Sequence, residues 1–225
     1  MRIQKFLSQK NICSRREAEA FIEKGWVYVN DVQVTEKGQK IDPEKDNISL
    51  SDNAKQILTK RTYIKYYKPR GIITHSPGSD EQSIHDIIDS KYTHCFPIGR
   101  LDKDSEGLIL LTDDGLFAKK CLSDKNPHRR DYVITVSKRL TVEMIRKCER
   151  GLMILGKKTK PCKIKELKNN TYQITLYEGK NRQIRRMIQK VGSMVMTLKR
   201  TRFGPITLGN MTPNKVAIIQ PFENS

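Results

Sequence analysis

The sequence predicts an α+β protein in two modules, a small one with helices and a β-hairpin and a larger one of strands and helices. The first 50 residues contain a capped amphipathic helix followed by two alternating segments around a two-residue turn. The rest contains several strand-like runs and one helix with an apolar face, separated by glycine and proline. A chain of 225 residues is long enough for one or two domains with hydrophobic cores.

In the first module a helix is predicted to begin at Ser14, after a shorter helix near residue 6. Ser14 and Glu17 fit a capping box, in which each side chain accepts a hydrogen bond from the other residue's backbone N–H. Gly25 suits the left-handed conformation that ends many helices. The segments WVYV and VQV then flank Asn30-Asp31, a pattern typical of a β-hairpin.

Two arginines occupy the exposed start of the capped helix. Arg15 and Arg16 are placed to bind phosphate together with the backbone amides of the first turn. Ordinary solvated charges are the alternative interpretation of the same two residues.

A polar segment with little hydrophobic pattern, residues 51–61, is predicted to mark the boundary between the two modules. This segment divides the chain into domains 1–58 and 59–225. Tyr63 to Tyr67 reads as a strand, and the proline and glycine that follow leave Lys68 and Arg70 on a turn. A basic turn of this kind either binds phosphate or is simply solvated.

The segment FPIGRLDKDSEGLILLTDDG carries a candidate catalytic carboxylate. Pro97 and Gly99 exclude a helix before Asp102, and Gly107 to Thr112 is an apolar run with the pattern of a buried strand. Asp102 is therefore expected in a loop that leads into a central strand, a favoured place for catalytic groups. Calcium binding is a weaker alternative, because the EF-hand spacing has an Asp at its twelfth position and the incoming helix is blocked.

A second candidate region lies near the C-terminal end, where a strand over Tyr172 to Tyr177 precedes an amphipathic helix that ends at Gly192. One face of that helix is apolar. The other carries Arg182, Arg185 and Arg186 at its start. Three arginines on a strand-to-helix turn favour RNA contact or catalysis over simple solvation.

The formal net charge of +18 indicates a polyanionic partner, foremost a nucleic acid. Residues 1–50 are nearly neutral, whereas residues 178–202 hold eight basic residues and one acidic residue. A merely soluble basic protein is the alternative. Membrane attachment would favour a lipidation signal or a strongly amphipathic basic helix, and neither is found.

The five cysteines are widely spaced and odd in number, which predicts reduced thiols and no metal cluster. The N-terminus lacks the apolar region of a signal peptide, and no apolar run approaches the roughly 20 residues that span a bilayer. We therefore expect a cytoplasmic protein without a membrane partner.

Three stretches resemble known families. KFLSQKNICSRREAEAFIEKGWVYVNDVQVTEKGQKI resembles the RNA-binding domain first seen in ribosomal protein S-four, and GRLDKDSEGLILLT and EGKNRQIRRM resemble the signatures of the RsuA/RluB/RluF-type pseudouridine synthases. The resemblance implies an N-terminal helix-hairpin RNA-binding domain. It also implies a catalytic domain with a mixed, largely antiparallel β-sheet flanked by helices.

The resemblance also implies roles for individual residues. Asp102 corresponds to the catalytic Asp, Arg100 to the residue that displaces and replaces the target base, Tyr132 to the tyrosine that stacks on the flipped base, and Arg185 to the partner of the catalytic Asp. Without it, Tyr132 would be read as core packing in a strand. The chain departs from the family pattern at Arg130, before this tyrosine, and at Pro213-Asn214-Lys215.

The expected reaction is the isomerisation of uridine in structured RNA, most closely the large-subunit ribosomal RNA, by a monomer. It requires no cofactor or metal, because no atoms or electrons enter or leave. A carboxylate must remain ionised where water is excluded, and a neighbouring guanidinium would stabilise that charge. A catalytically silent RNA-binding protein, such as a ribosome-assembly factor, is the alternative. The residues expected to bind RNA are Arg15, Arg16, Lys68, Arg70, Arg100, Arg182 and Arg186.

Overall fold

The structure is a computed structural model that describes residues 1–74, 80–123, 125 and 127–222. The chain forms two compact units. The first comprises Met1–Tyr63 and Thr112–Lys120, and the second comprises Ile64–Leu111 and Cys121–Ser225. The α+β class is confirmed. The division at residue 58 stays a prediction about independent domains, since the compact units part at Tyr63 and the first also takes in a later segment.

The first unit contains most of the predicted small module. Its helices and strands are α1 (Ile3–Gln9), α2 (Arg15–Glu23), β1 (Val27–Val29), β2 (Val32–Gln33), β3 (Ile48–Leu50) and α3 (Asp52–Thr59). The capping box of α2 is confirmed, because Ser14 N donates to Glu17 Oε2 at 2.8 Å and Glu17 N donates to Ser14 Oγ at 3.3 Å.

The predicted hairpin is also confirmed. Strand β1 pairs antiparallel with β2 on one side and with β3 on the other. Asn30 and Asp31 both have positive φ, at 48° and 65°, which is the backbone that a two-residue type I′ turn requires. The core beneath this sheet is formed by apolar residues of α1, α2 and β1, among them Ile3, Leu7, Phe21, Ile22 and Val27.

The expected patternless linker is wrong for most of its length, because residues 52–59 form the helix α3. Ser51 caps it by accepting a hydrogen bond from Ala54 N at 3.3 Å. Ala54 is fully buried, and Leu58, four residues on and therefore on the same face, packs against the same core. Three apolar residues among the eight of this helix are a weak sequence signal.

The remaining elements build a large sheet with helices. No helix in the described part of the chain is long and apolar enough to cross a membrane. In chain order the elements are β4 (Tyr63–Lys68), α4 (Ile84–Ile87), β5 (Phe96–Ile98), β6 (Glu106–Thr112), α5 (Gly115–Cys121), β7 (Arg130–Val136), α6 (Val142–Glu149), β8 (Met153–Ile154), β9 (Lys157–Lys158), β10 (Lys163–Lys168), β11 (Thr171–Leu176), α7 (Gln183–Lys190), β12 (Val195–Phe203), β13 (Ile206–Thr207) and β14 (Val216–Ile218).

The large sheet has the order β10-β11-β7-β12-β6-β4-β14, with β13 beside β12 and β5 beside β6. The pair β12–β6 is parallel, whereas β10–β11, β11–β7, β7–β12 and β4–β14 are antiparallel. The predicted mixed, largely antiparallel sheet is therefore confirmed. Residues 108–111 of β6 are buried, so the loop that carries Asp102 leads directly into the centre of the sheet.

The close approach of β6 to β12 depends on Gly107, which has a φ of +104° and pairs with Arg200. A Cβ at this position would overlap the Arg200 carbonyl oxygen and lie 2.8 Å from the Arg200 nitrogen. We therefore expect Gly107→Ala to lower the free energy of unfolding by about 3 kcal/mol, from overpacking against backbone and left-handed strain together. Urea denaturation measures this loss.

The matched control is Gly156→Ala. Gly156 also has a positive φ, +72°, but a Cβ there would meet no atom within 4 Å. It should therefore show only the backbone strain, about 1 kcal/mol. Equal losses for the two variants would contradict the steric explanation for Gly107.

Candidate active site

A cavity of about 570 Å³ in the second unit brings together the three predicted catalytic residues. Asp102 comes from the loop between β5 and β6, Tyr132 from β7 and Arg185 from α7. Arg100 and Arg182 also line the cavity. Much of the remaining wall is apolar and includes Ile98, Leu101, Leu176, Leu198 and Phe203.

The Asp102 side chain lies on a tightly held loop and is 33% exposed. The preceding residue, Leu101, is fixed at both ends of its backbone by Thr74, whose Oγ1 donates to Leu101 O at 2.6 Å and accepts from Leu101 N at 3.0 Å. Asp102 O accepts a hydrogen bond from Ser105 N at 3.0 Å. These bonds fix the backbone of the loop at Leu101 and Asp102.

The structure contradicts the prediction that Lys68 binds RNA. Lys68 is the last residue of β4 and is fully buried. Its ammonium donates to three backbone carbonyls, those of Pro69 at 2.9 Å, Ile72 at 2.6 Å and Ser105 at 2.8 Å. Since these three bonds use all its donors, Lys68 instead ties the end of β4 to the loop that carries Asp102.

Burial lowers the pKa of Lys68 to about 8, against the opposing effect of the carboxylates of Asp102, Asp104 and Glu106. In the unfolded chain the pKa of a lysine is about 10.4. Between these two values the unfolded chain binds more protons at this position than the folded protein does. The contribution of Lys68 to the free energy of unfolding therefore rises with pH from about 8 to about 10.

This pH dependence is measured by urea denaturation of the wild type and Lys68→Met from pH 7 to pH 10. The difference in unfolding free energy, wild type minus variant, should be flat near pH 7 and should increase above pH 8. Since every other titrating group is common to both proteins, a constant difference over the whole range would contradict the lowered pKa.

Arg185 of α7 was expected to pair directly with Asp102, but in the structure it pairs with Asp104. Arg185 Nη2 lies 3.2 Å from Asp104 Oδ2. Its guanidinium also donates to Asp104 O at 3.0 Å and to Val195 O at 3.1 Å. These backbone bonds fix the guanidinium beside Asp104. Arg182 lies within ion-pair distance of Asp102, with Nη1 3.6 Å from Oδ2.

Arg182 occupies a strained position just before α7. Its φ is +49°, a left-handed conformation that is unusual for a residue other than glycine. Its guanidinium makes a two-pronged contact with the Asp104 carboxylate, with both N···O distances 3.1 Å. Burial alone would raise the pKa of Asp104, but the Arg182 hydrogen bond and the charges of Arg185 and Arg182 outweigh it, so this pKa lies below its ordinary value.

Two carboxylates of the EF-hand-like spacing are engaged by protein donors. Asp104 pairs with Arg182 and Arg185, and Glu106 Oε2 accepts a hydrogen bond from the Tyr67 hydroxyl at 2.9 Å. In the described ranges no group of three or more His, Cys, Asp or Glu side chains is arranged to hold a metal ion.

The other residues expected to bind RNA are distributed over both units. Arg15 and Arg16 are exposed in the first turn of α2. Arg70 and Arg100 are exposed in the second unit. Arg186 is partly exposed and bonds to Asn181 O at 3.2 Å and to its Oδ1 at 3.3 Å. Among these five residues, only Arg100 lines the cavity.

Four further basic residues of the cavity wall were not predicted from the sequence, namely Lys103, Arg130, Lys180 and Arg200. Arg200 is the most informative because it is buried in the centre of the sheet. The segment LKRTRF places it two residues after Leu198, an inward position in an alternating strand. A charged residue at such a position was the available signal.

Comparison with known proteins connects this geometry with a family. Residues 62–190 match the family model of RNA pseudouridylate synthase, and residues 1–48 match that of the S4 domain. The dual-specificity RNA pseudouridine synthase RluF of Escherichia coli is 38% identical over 94% of this chain and 72% of its own length.

Two further comparisons cover nearly the whole chain. The ribosomal large subunit pseudouridine synthase B of Bacillus subtilis is 36% identical over 99% of this chain and 93% of its own. A crystal structure of a pseudouridylate synthase superposes with a TM-score of 0.71 at 25% identity, covering 98% of this chain and 96% of that one. These matches show that the chain belongs to the RNA pseudouridine synthase family and carries an N-terminal S4 domain.

Proposed function

We propose that this pseudouridine synthase acts on large-subunit ribosomal RNA and uses Asp102 as its catalytic carboxylate. The observation that carries the proposal is the convergence of Asp102, Tyr132 and a ring of cationic residues on one cavity. That cavity has room for a single extruded nucleoside, and the apolar part of its wall suits a base removed from water.

The isomerisation of uridine requires a fixed negative charge beside the sugar. The bond between C1′ and N1 of uridine breaks, the uracil turns, and C1′ bonds to carbon-5. The proton on carbon-5 is lost and N1 gains one, so the atoms balance without an external reagent. Asp102 supplies the carboxylate that the electron-poor C1′ requires during this exchange. Arg182 Nη1 lies 3.6 Å from this carboxylate, within ion-pair distance.

Two other residues of the cavity wall are proposed to assist extrusion of the base. Tyr132 is buried in the cavity wall, where its ring is placed to stack on the uracil. Arg100 is exposed at the same cavity and is placed to fill the gap that the base leaves in the RNA. These contacts offset part of the cost of unstacking, a few kcal/mol.

Binding of folded RNA is supported by the S4 domain and by the net charge of +18. Exposed Arg15 and Arg16 lie at the start of α2, while Arg70, Arg182 and Arg186 lie in the second unit. The large-subunit substrate is proposed from the Bacillus subtilis relative, whose name gives that subunit. Because ribosomal RNA is the proposed substrate, we also expect a cytoplasmic enzyme. We expect it to act as a monomer without a cofactor.

The substrate is tested by incubating the enzyme with unmodified transcripts of large-subunit RNA, small-subunit RNA and tRNA, without added cofactor. Pseudouridines are then mapped by carbodiimide modification and primer extension. The proposal expects a discrete new stop in the large-subunit transcript. Stops confined to tRNA or small-subunit RNA would overturn the substrate assignment but leave the reaction intact.

A further inference from the structure

Arg200 is a buried cation in the cavity wall with an incomplete set of partners. It is 3% exposed and lies in β12. Its Nε donates to Leu108 O on the neighbouring strand β6 at 2.6 Å. Its Nη2 is also buried and has no hydrogen-bond partner in the part of the chain that the structure describes. One end of the guanidinium is thus anchored to the sheet, while the other retains a spare donor.

The anchored guanidinium lies beside Tyr132. Arg200 and Tyr132 are direct register partners on the antiparallel strands β12 and β7, so their side chains leave the same face of the sheet. Both side chains line the cavity, and the guanidinium lies close enough to the Tyr132 side chain to interact with it electrostatically. The guanidinium carbon of Arg200 also lies 5.6 Å from the centroid of the Phe203 ring. The Tyr132 side chain therefore rests against a cation that cannot easily move.

Stability alone does not explain an arginine here. A charge removed from water is unfavourable unless all its donors are paired, and burial lowers the pKa of Arg200 for this reason. The unpaired Nη2 adds to that cost. An apolar side chain of similar volume would fill the same space without it. Buried polar groups with this pattern are typical of functional sites.

We propose that Arg200 is a positioning residue that holds Tyr132 in the orientation in which its ring meets the extruded base. Arg200 acts through the tyrosine and does not touch the RNA. The inference rests on the proposed function, since the orientation of Tyr132 matters only if a base enters the cavity.

The test is a double-mutant cycle with Arg200→Met, Tyr132→Phe and the double variant, read as the single-turnover rate and the dissociation constant on the same RNA transcript. Each single change should slow the reaction about tenfold, the scale of one hydrogen bond to a charged group, with unchanged RNA affinity. The double variant should be no slower than the slower single variant, because both remove the same interaction. Effects that multiply would show that Arg200 acts independently of Tyr132 and would overturn the proposal.

Two further variants distinguish the proposed role of Arg200 from loss of the fold and from a general effect of charge. Arg200→Lys retains a cation that can donate to Leu108 O but lacks the forked guanidinium that also reaches Tyr132. It should slow the reaction as Arg200→Met does, and a folded variant with the wild-type rate would overturn the proposal.

Lys199→Met removes a cation from the adjacent position, on the opposite side of β12 and outside the cavity wall, and should keep the wild-type rate. If the wild type forms no pseudouridine in any RNA, the proposed function fails and this inference falls with it.

Discussion

Replacing Asp102 with asparagine is expected to slow pseudouridine formation by a factor on the order of 10⁴ or more, the scale seen when a catalytic nucleophile is removed. Asparagine keeps the size and polarity of the side chain and removes only its charge. The side chain is one third exposed, and its ion pair with Arg182 is 3.6 Å long, so little stability depends on it. RNA affinity and the unfolding transition should therefore remain close to those of the wild type.

The rate is measured under single-turnover conditions by nuclease digestion and mass spectrometry of the nucleosides, and the affinity by filter binding. Glu143→Gln is the matched control, since Glu143 is an exposed carboxylate of α6 paired with Lys147 and lies outside the cavity wall. It should behave as the wild type does. A rate for Asp102→Asn within about tenfold of the control would show that another group performs the chemistry.

Lys68→Met is expected to lower the free energy of unfolding by about 3–5 kcal/mol, because each acceptor left unpaired inside the protein costs about 1–3 kcal/mol. The substitution leaves the carbonyls of Pro69, Ile72 and Ser105 without their shared donor. Since Ser105 ends the turn that begins at Asp102, the folded variant should also react more slowly. Urea denaturation measures the loss of stability, and single-turnover kinetics below the transition measure the loss of rate.

Lys65→Met provides the control on the same strand. Lys65 also donates to a backbone carbonyl, that of Thr207 at 3.0 Å, but its ammonium is exposed. Its removal should cost less than about 1 kcal/mol, because water replaces the lost bond. A loss for Lys68→Met as small as that for Lys65→Met would contradict the structural role assigned to the buried lysine.

Local interactions explain the parts of the fold that were predicted correctly. The capping box at Ser14 and Glu17 and the turn at Asn30 and Asp31 depend on residues within four positions of each other. The position of Asp102 before a buried strand likewise follows from nearby proline, glycine and an apolar run. Such features are set by steric and hydrogen-bonding rules that short stretches of sequence display.

The wrong or missed features depend on tertiary contacts. Lys68 looks like a turn residue, yet its ammonium is held by carbonyls as distant in sequence as Ser105. The direct partner of Arg185 is Asp104 because Val195 O and Asp104 O fix its guanidinium. Arg200 became a candidate only when β12 was placed beside β7 and β6. No local pattern encodes these distances.

The most direct test of the central claim is the release of tritium from carbon-5 of uridine in unmodified large-subunit RNA, without added cofactor. The wild type is predicted to release tritium to a fixed stoichiometry for each RNA molecule, and Asp102→Asn is predicted to release none above background while still binding the RNA. Failure of the wild type on this RNA, on small-subunit RNA and on tRNA, despite tight binding, would contradict the account and favour a catalytically silent RNA-binding protein.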